Sequence, residues 1–109
     1  MKYNIIATPK FIKDLKRLAK KYSSLKVEYE QLLEQLIESP TLGVHIGNDC
    51  YKIRLSIASK GKGKSGGARI ITCVKVIKTT VFIIGIYDKS EVANYSNATI
   101  KARIKEISS

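Results

Sequence analysis

Tryptophan is absent from this 109-residue chain, histidine occurs once, and proline and cysteine occur twice each. With His45 as the only histidine, paired-imidazole acid-base catalysis is ruled out, and no histidine-rich metal set can form. Two cysteines cannot build a disulfide framework. Cys50 and Cys73 both fall in apolar alternating runs, so they read as buried, reduced thiols suited to a reducing cytoplasm. Acids are scarce: nine stand against twenty Lys and Arg, a formal charge of +11. Long apolar runs are lacking too. VFIIGI, at 81–86, is too short to cross a bilayer, and MKYNIIATPKF has no signal-peptide core. No membrane association and no metal are expected.

What is present suits one domain over residues 1–109, because 44% apolar residues in a chain this short supply a single modest core. The positive charge is uneven. Residues 1–40 hold eight bases and five acids, and residues 41–109 hold twelve and four. Such an excess points to a polyanionic partner: nucleic acid, anionic lipid or an acidic protein.

After a short strand, YNIIA, the pair Thr8-Pro9 predicts an N-cap and first helical turn. Phe11, Leu15, Leu18 and Tyr22 then form one apolar stripe, with Lys13, Lys16, Arg17, Lys20 and Lys21 on the other faces. Ser23-Ser24 ends this helix and caps a second, carrying Leu25, Tyr29, Leu32, Leu33, Leu36 and Ile37 up to Pro40. The two make a helical hairpin. His45 sits in LGVHIG, which reads as a turn, and is structural or exposed. From Cys50 the period becomes two, with Tyr51, Ile53, Leu55 and Ile57 opposite Lys52, Arg54, Ser56 and Ala58. ARIITCVKVI and TTVFIIGIY extend this into an antiparallel meander, and Ser96 or Asn97 caps a last helix bearing Ile100, Ile104 and Ile107.

Between these strands, ASKGKGKS satisfies a relaxed P-loop pattern and GKGKSG a dinucleotide fingerprint. Both require a helix after the glycines, whose amides hold the phosphates, and RIITCVKVI is strand-like instead. Both matches are accidents of composition. What remains is an acid-free segment with Lys60, Lys62, Lys64 and Arg69, whose like charges repel until a polyanion neutralises them. A charge run alone is most often a solvated loop. Beyond the last strand, YDKSEVANYS adds Tyr87, Lys89, Glu91 and Tyr95, and rings beside cations are what unpaired bases and their phosphates need.

KIRLSIASKGKGKSGGARII together with IYDKSE resembles the RelE/ParE superfamily of type II toxin-antitoxin toxins, nearest its HigB-like branch with the K-G-K-x-G-G-x-R-[IV]-I segment. The resemblance implies an α+β, RelE-like fold: an N-terminal helical hairpin on a small antiparallel meander with a C-terminal helix. It implies a toxin that cuts messenger RNA in the ribosomal A site without metal or organic cofactor. A cognate antitoxin, a small helix-turn-helix DNA-binding protein, would hold it inactive. It also implies catalytic roles for Lys62, Lys64, Arg69, Lys89 and Tyr95, with Tyr87 as rival to Tyr95. Lys60, Tyr87, Lys13, Lys16, Arg17 and Lys20 would bind RNA. Where RelE carries arginine after the last strand this chain has Lys89, which cannot make a bidentate phosphate contact.

Metal-free RNA cleavage needs the 2′-hydroxyl deprotonated, the phosphoryl charge stabilised and the 5′-oxygen protonated. Arg69 suits the phosphoryl charge. Lys62 or Lys64, crowded by cations, suits the base, and Lys89 or Tyr95 the acid. Glu91 is an ion-pair partner for Lys89. Tyr22, Tyr29 and Tyr51 belong to the core, and Tyr87 can be core as well. Two other functions fit the same residues, a ParE-like gyrase inhibitor and a non-catalytic RNA-binding module.

Overall fold

The computed structural model describes residues 2–61 and 66–107, so Lys62 and Lys64 lie outside the described residues. Five strands form one sheet in the order β1-β5-β4-β3-β2: β1 is Asn4–Ala7, β2 Val44–Gly47, β3 Cys50–Leu55, β4 Ala68–Lys75 and β5 Thr80–Asp88. Helices α1 (Pro9–Lys21) and α2 (Leu25–Glu38) cover one face; α3 (Asn97–Lys105) lies on the other. The architecture is the expected α+β one.

Pro9 opens α1 directly after Thr8, as expected, but the Thr8 hydroxyl does not cap the helix. It donates to the Ile83 carbonyl at 3.1 Å, and the Thr8 amide donates to the same oxygen. This doubly bonded exit lays β1 beside β5 in parallel, so the antiparallel meander becomes a mixed sheet. LGVHIG is not a turn. Val44–Gly47 is an edge strand antiparallel to β3, returned by Asn48 and Asp49, whose φ values of 53° and 62° match the two central positions of a type I′ hairpin turn. His45 is exposed there, edge-on to the Tyr51 ring at 5.2 Å.

The helical hairpin buries Phe11, Leu18, Leu25 and Leu36 against Ile53, Ile70, Ile83 and Ile86. Each such side chain contributes roughly 1.5–3 kcal/mol by leaving water, so this layer carries most of the stability. Residues directly opposed on paired strands share a face, which sorts the rest. Ile53, Ile70 and Ile86 form one cross-strand row toward the hairpin. Arg54, Arg69 and Tyr87 form the adjacent row, on the α3 face.

Candidate RNA-binding face

Arg54 on β3 is opposed to Arg69 on β4, and Arg69 to Tyr87 on β5. Arg54 is exposed; Arg69 and Tyr87 are buried. The neighbouring row on this face is Lys52, Ile71 and Gly85. Arg69 Nη1 donates to the Ala68 carbonyl at 3.2 Å, and Arg54 stands exposed in the same row, so the row presents positive charge at its open end.

Tyr95 rides above this floor. Its ring lies 4.7 Å from that of Tyr87, and its hydroxyl donates to the Ile86 carbonyl at 3.1 Å. The missing side chain of Gly85 makes the contact possible: a Cβ there would meet Tyr95 Cε2 at 2.6 Å. Tyr87 Oη donates to Asn94 Oδ1 at 3.0 Å, and Lys52 Nζ reaches the same oxygen at 3.5 Å. Burial raises the Tyr87 phenol above its ordinary value, against the pull of Arg69. Burial also raises Tyr95. Both rings are therefore neutral near pH 7.

Arg103 of α3 fixes Tyr95 from above. Its guanidinium lies 5.5 Å from the ring centroid, donates to the Ile84 carbonyl at 2.9 Å and pairs with Asp14 of α1 at 3.0 Å. Lys89 is exposed past the end of β5, and its Nζ donates to the Ala93 carbonyl at 3.0 Å. Glu91, expected to pair with Lys89, instead pairs with Arg17 at 3.2 Å and Lys21 at 3.6 Å. Lys13, Lys16 and Lys20 are exposed on α1.

Lys60 is placed elsewhere. It ends a short 3-10 turn, Ala58–Lys60, whose start is held by Glu28 Oε2 accepting from the Ala58 amide at 2.6 Å and by Ser24 Oγ accepting from the Ser59 amide at 2.9 Å. Its ammonium is nearly buried and hydrogen-bonded to fully buried Asp88, on the hairpin face of the sheet. Tyr22 Oη donates to Asp88 at 2.6 Å, and the Ser90 amide and hydroxyl donate at 2.9 and 2.7 Å. Burial alone would raise the Asp88 pKa, but the bonds from Lys60, Tyr22 and Ser90 outweigh it and hold the carboxyl well below its usual range. The structure thus gathers Arg69, Tyr87 and Tyr95 on one face and leaves Lys60 in a separate buried cluster.

Sequence reasoning missed Lys52, Arg54 and Asn94. The alternation of β3 placed Lys52 and Arg54 on one side, but only the register puts Arg54 against Arg69. Among the described residues there is no cluster of His, Cys, Asp and Glu that could hold a metal, and no helix long and apolar enough to cross a membrane.

Residues 10–109 match the family described as the RelE toxin of the RelE/RelB toxin-antitoxin system. A double mutant of E. coli toxin RelE in the free state superposes with a TM-score of 0.66 at 22% identity, over 98% of this chain and 99% of that one. The isolated E. coli RelE toxin gives 0.61 at 25% identity, over 96% and 98%. The RelE mutant in complex with a peptide of the antitoxin RelB gives 0.62 at 26%, over 85% and 92%. The chain belongs to the RelE toxin family, within the RelE/ParE superfamily of toxin-antitoxin toxins.

Proposed function

We propose that this toxin is a ribosome-dependent endoribonuclease that cleaves messenger RNA in the A site without metal, on the face bearing Arg54, Arg69, Tyr87 and Tyr95. The observation that carries the reading is Arg54 directly opposed to Arg69 beside two neutral phenol rings. Guanidiniums borne on one cross-strand row fit a phosphodiester, whose charge grows as the 2′-oxygen attacks, and the partly exposed Tyr95 ring fits an unstacked base.

Roles follow from which protons are committed. Both phenol hydroxyls already donate within the protein, Tyr87 to Asn94 and Tyr95 to Ile86, so the partly exposed Tyr95 ring serves first as a stacking surface and buried Tyr87 supports it from below. Lys89 donates one bond to Ala93, and an ammonium has three protons, so Lys89 is the proton donor for the leaving 5′-oxygen. Lys62 or Lys64 remains the base, with Lys52 a further cation at the row's edge. An enzyme with no imidazole pair gains from a partner that aligns its substrate in line, which the ribosome supplies. Exposed Lys13, Lys16 and Lys20 on α1 bind ribosomal or messenger RNA through phosphates.

A cognate antitoxin restrains the enzyme in the cytoplasm, as the solved complexes of the similar RelE with its antitoxin suggest. In a translating extract, primer extension should show breaks within codons for the wild-type chain and none for Arg69→Ala. Binding of RNA without breaks would instead make it a non-catalytic module. Inhibited DNA supercoiling with intact message would favour a gyrase inhibitor.

A further inference from the structure

Cys50 and Cys73 take no part in the proposed reaction. They are directly opposed on β3 and β4, both free and both fully buried beneath α3. The adjacent pair settles their geometry: the Val74 amide donates to the Asp49 carbonyl at 2.9 Å, so Asp49 and Val74 are a hydrogen-bonded pair. In an antiparallel ladder the next pair is then the non-hydrogen-bonded kind, with Cα atoms about 4.5 Å apart and side chains close together. That separation lies within the range a disulfide spans, about 4.4–6.8 Å.

We infer that Cys50 and Cys73 form a reversible oxidation site, closing a cross-strand disulfide when the reduced protein meets hydrogen peroxide. The two sulfurs are unequal. Both thiols point at the Asn48 carbonyl, to which Cys50 donates at 3.5 Å; the contact between the sulfurs lowers Cys73 to about 7, while the same contact and burial raise Cys50. Cys73 is therefore the attacking sulfur. Its thiolate takes one peroxide oxygen, the O–O bond breaks, and the other oxygen leaves with a proton as water, giving a sulfenic acid. Cys50 then loses its proton and attacks the Cys73 sulfur, expelling hydroxide, which takes that proton as a second water. The two thiols lose two electrons and the peroxide gains them.

A route for a small oxidant lies beside the pair. The Asn48 carbonyl faces Cys50 Sγ at 3.5 Å and Cys73 Sγ at 3.9 Å, and Asn48 also lines a surface cavity of about 410 Å³ with Asp49, Lys75, Lys101, Ile104 and Lys105. No residue of α3 is fully buried, whereas α1 and α2 bury Phe11, Leu18, Leu25, Leu32 and Leu36, so the cover over the sulfurs is the shallower one. The bond would close a covalent ring from residue 50 to residue 73 holding Arg54, the Lys-Gly stretch and Arg69.

The full-length reduced protein is treated with hydrogen peroxide, quenched with catalase, denatured without reductant and alkylated. The alkylated thiols should fall from two to none, with a linked peptide pair spanning Cys50 and Cys73, a monomer on a non-reducing gel, and both thiols recovered with dithiothreitol. Oxidation should also raise the thermal midpoint by on the order of 5 °C or more. In Cys50→Ser, Cys73 should stop at a sulfenic acid trapped by dimedone. Two thiols still alkylated in the treated wild-type chain, or thiols lost only to intermolecular bridges or sulfonic acid, would overturn the inference.

Discussion

The Tyr95 ring lies against Gly85, close enough that a single added methyl group would stand 2.6 Å from Cε2. Gly85 is buried in β5 between Ile84 and Ile86, where packing alone would favour a branched side chain. The contact explains why the strand forgoes one.

Gly85→Ala should therefore displace Tyr95 while the helical hairpin stays intact. Overpacking of this kind costs about 1–3 kcal/mol. If stacking on Tyr95 aids cleavage, activity should fall by about 10-fold or more, in line with about 1–3 kcal/mol per stacked base. Nuclear magnetic resonance of the Tyr95 ring, read beside a denaturation curve, separates displacement from unfolding.

Arg103 joins three elements, pairing with Asp14 of α1, bonding the Ile84 carbonyl of β5 and lying over Tyr95. Arg103→Gln should loosen α3 and Tyr95 together, with a loss of about 1–3 kcal/mol for partly buried charged bonds. Amide hydrogen exchange should quicken over 97–107 and stay slow in β4. Uniform quickening would mean that the residue only supports global stability.

The buried Asp88 predicts an acid limb. Its pKa is held below the unfolded value, so its contribution is fully present above the ordinary carboxylate pKa of about 4 and is lost as pH falls below that, toward its folded pKa. Asp88→Asn leaves the Lys60 ammonium buried beside a neutral partner. It should cost about 3–5 kcal/mol at pH 7 and flatten the loss of stability between pH 4 and lower values, as measured by urea titration at each pH.

Arg54→Ala should weaken binding of a short RNA and reduce the salt dependence of that binding by about one phosphate contact. Arg54→Lys should restore the salt dependence but not the full affinity, because a lysine lacks the fork. Filter binding from low to moderate salt measures both.

Much of this was legible in the sequence. Thr8-Pro9, Ser24 and Pro40 bracket both helices, although neither the Thr8 nor the Ser24 hydroxyl caps its helix: Ser24 bonds Glu28 and Ser59 instead; β4 and β5 announce themselves by branched residues. Partnership between distant residues was less readable. Asn48 and Asp49 carry a hairpin signal, yet VHIG is too short and too mixed to read as a strand without its partner. Lys60 looks like one more loop lysine until Asp88, its distant partner, is seen beneath it. Arg69 and Tyr87 were found as neighbours in kind. Arg54 was missed because alternation gives a side chain's face, and only the pairing of β3 with β4 gives its row.

Cleavage at the Arg54–Arg69–Tyr87 row requires the Arg69 guanidinium. The most direct measurement is single-turnover cleavage of mRNA on programmed ribosomes by wild type and Arg69→Gln, with the fold of each checked by circular dichroism. Loss of a phosphoryl-stabilising donor predicts a rate lower by about 10²–10³, with ribosome binding largely retained. A folded Arg69→Gln protein that cuts at the wild-type rate would contradict the account.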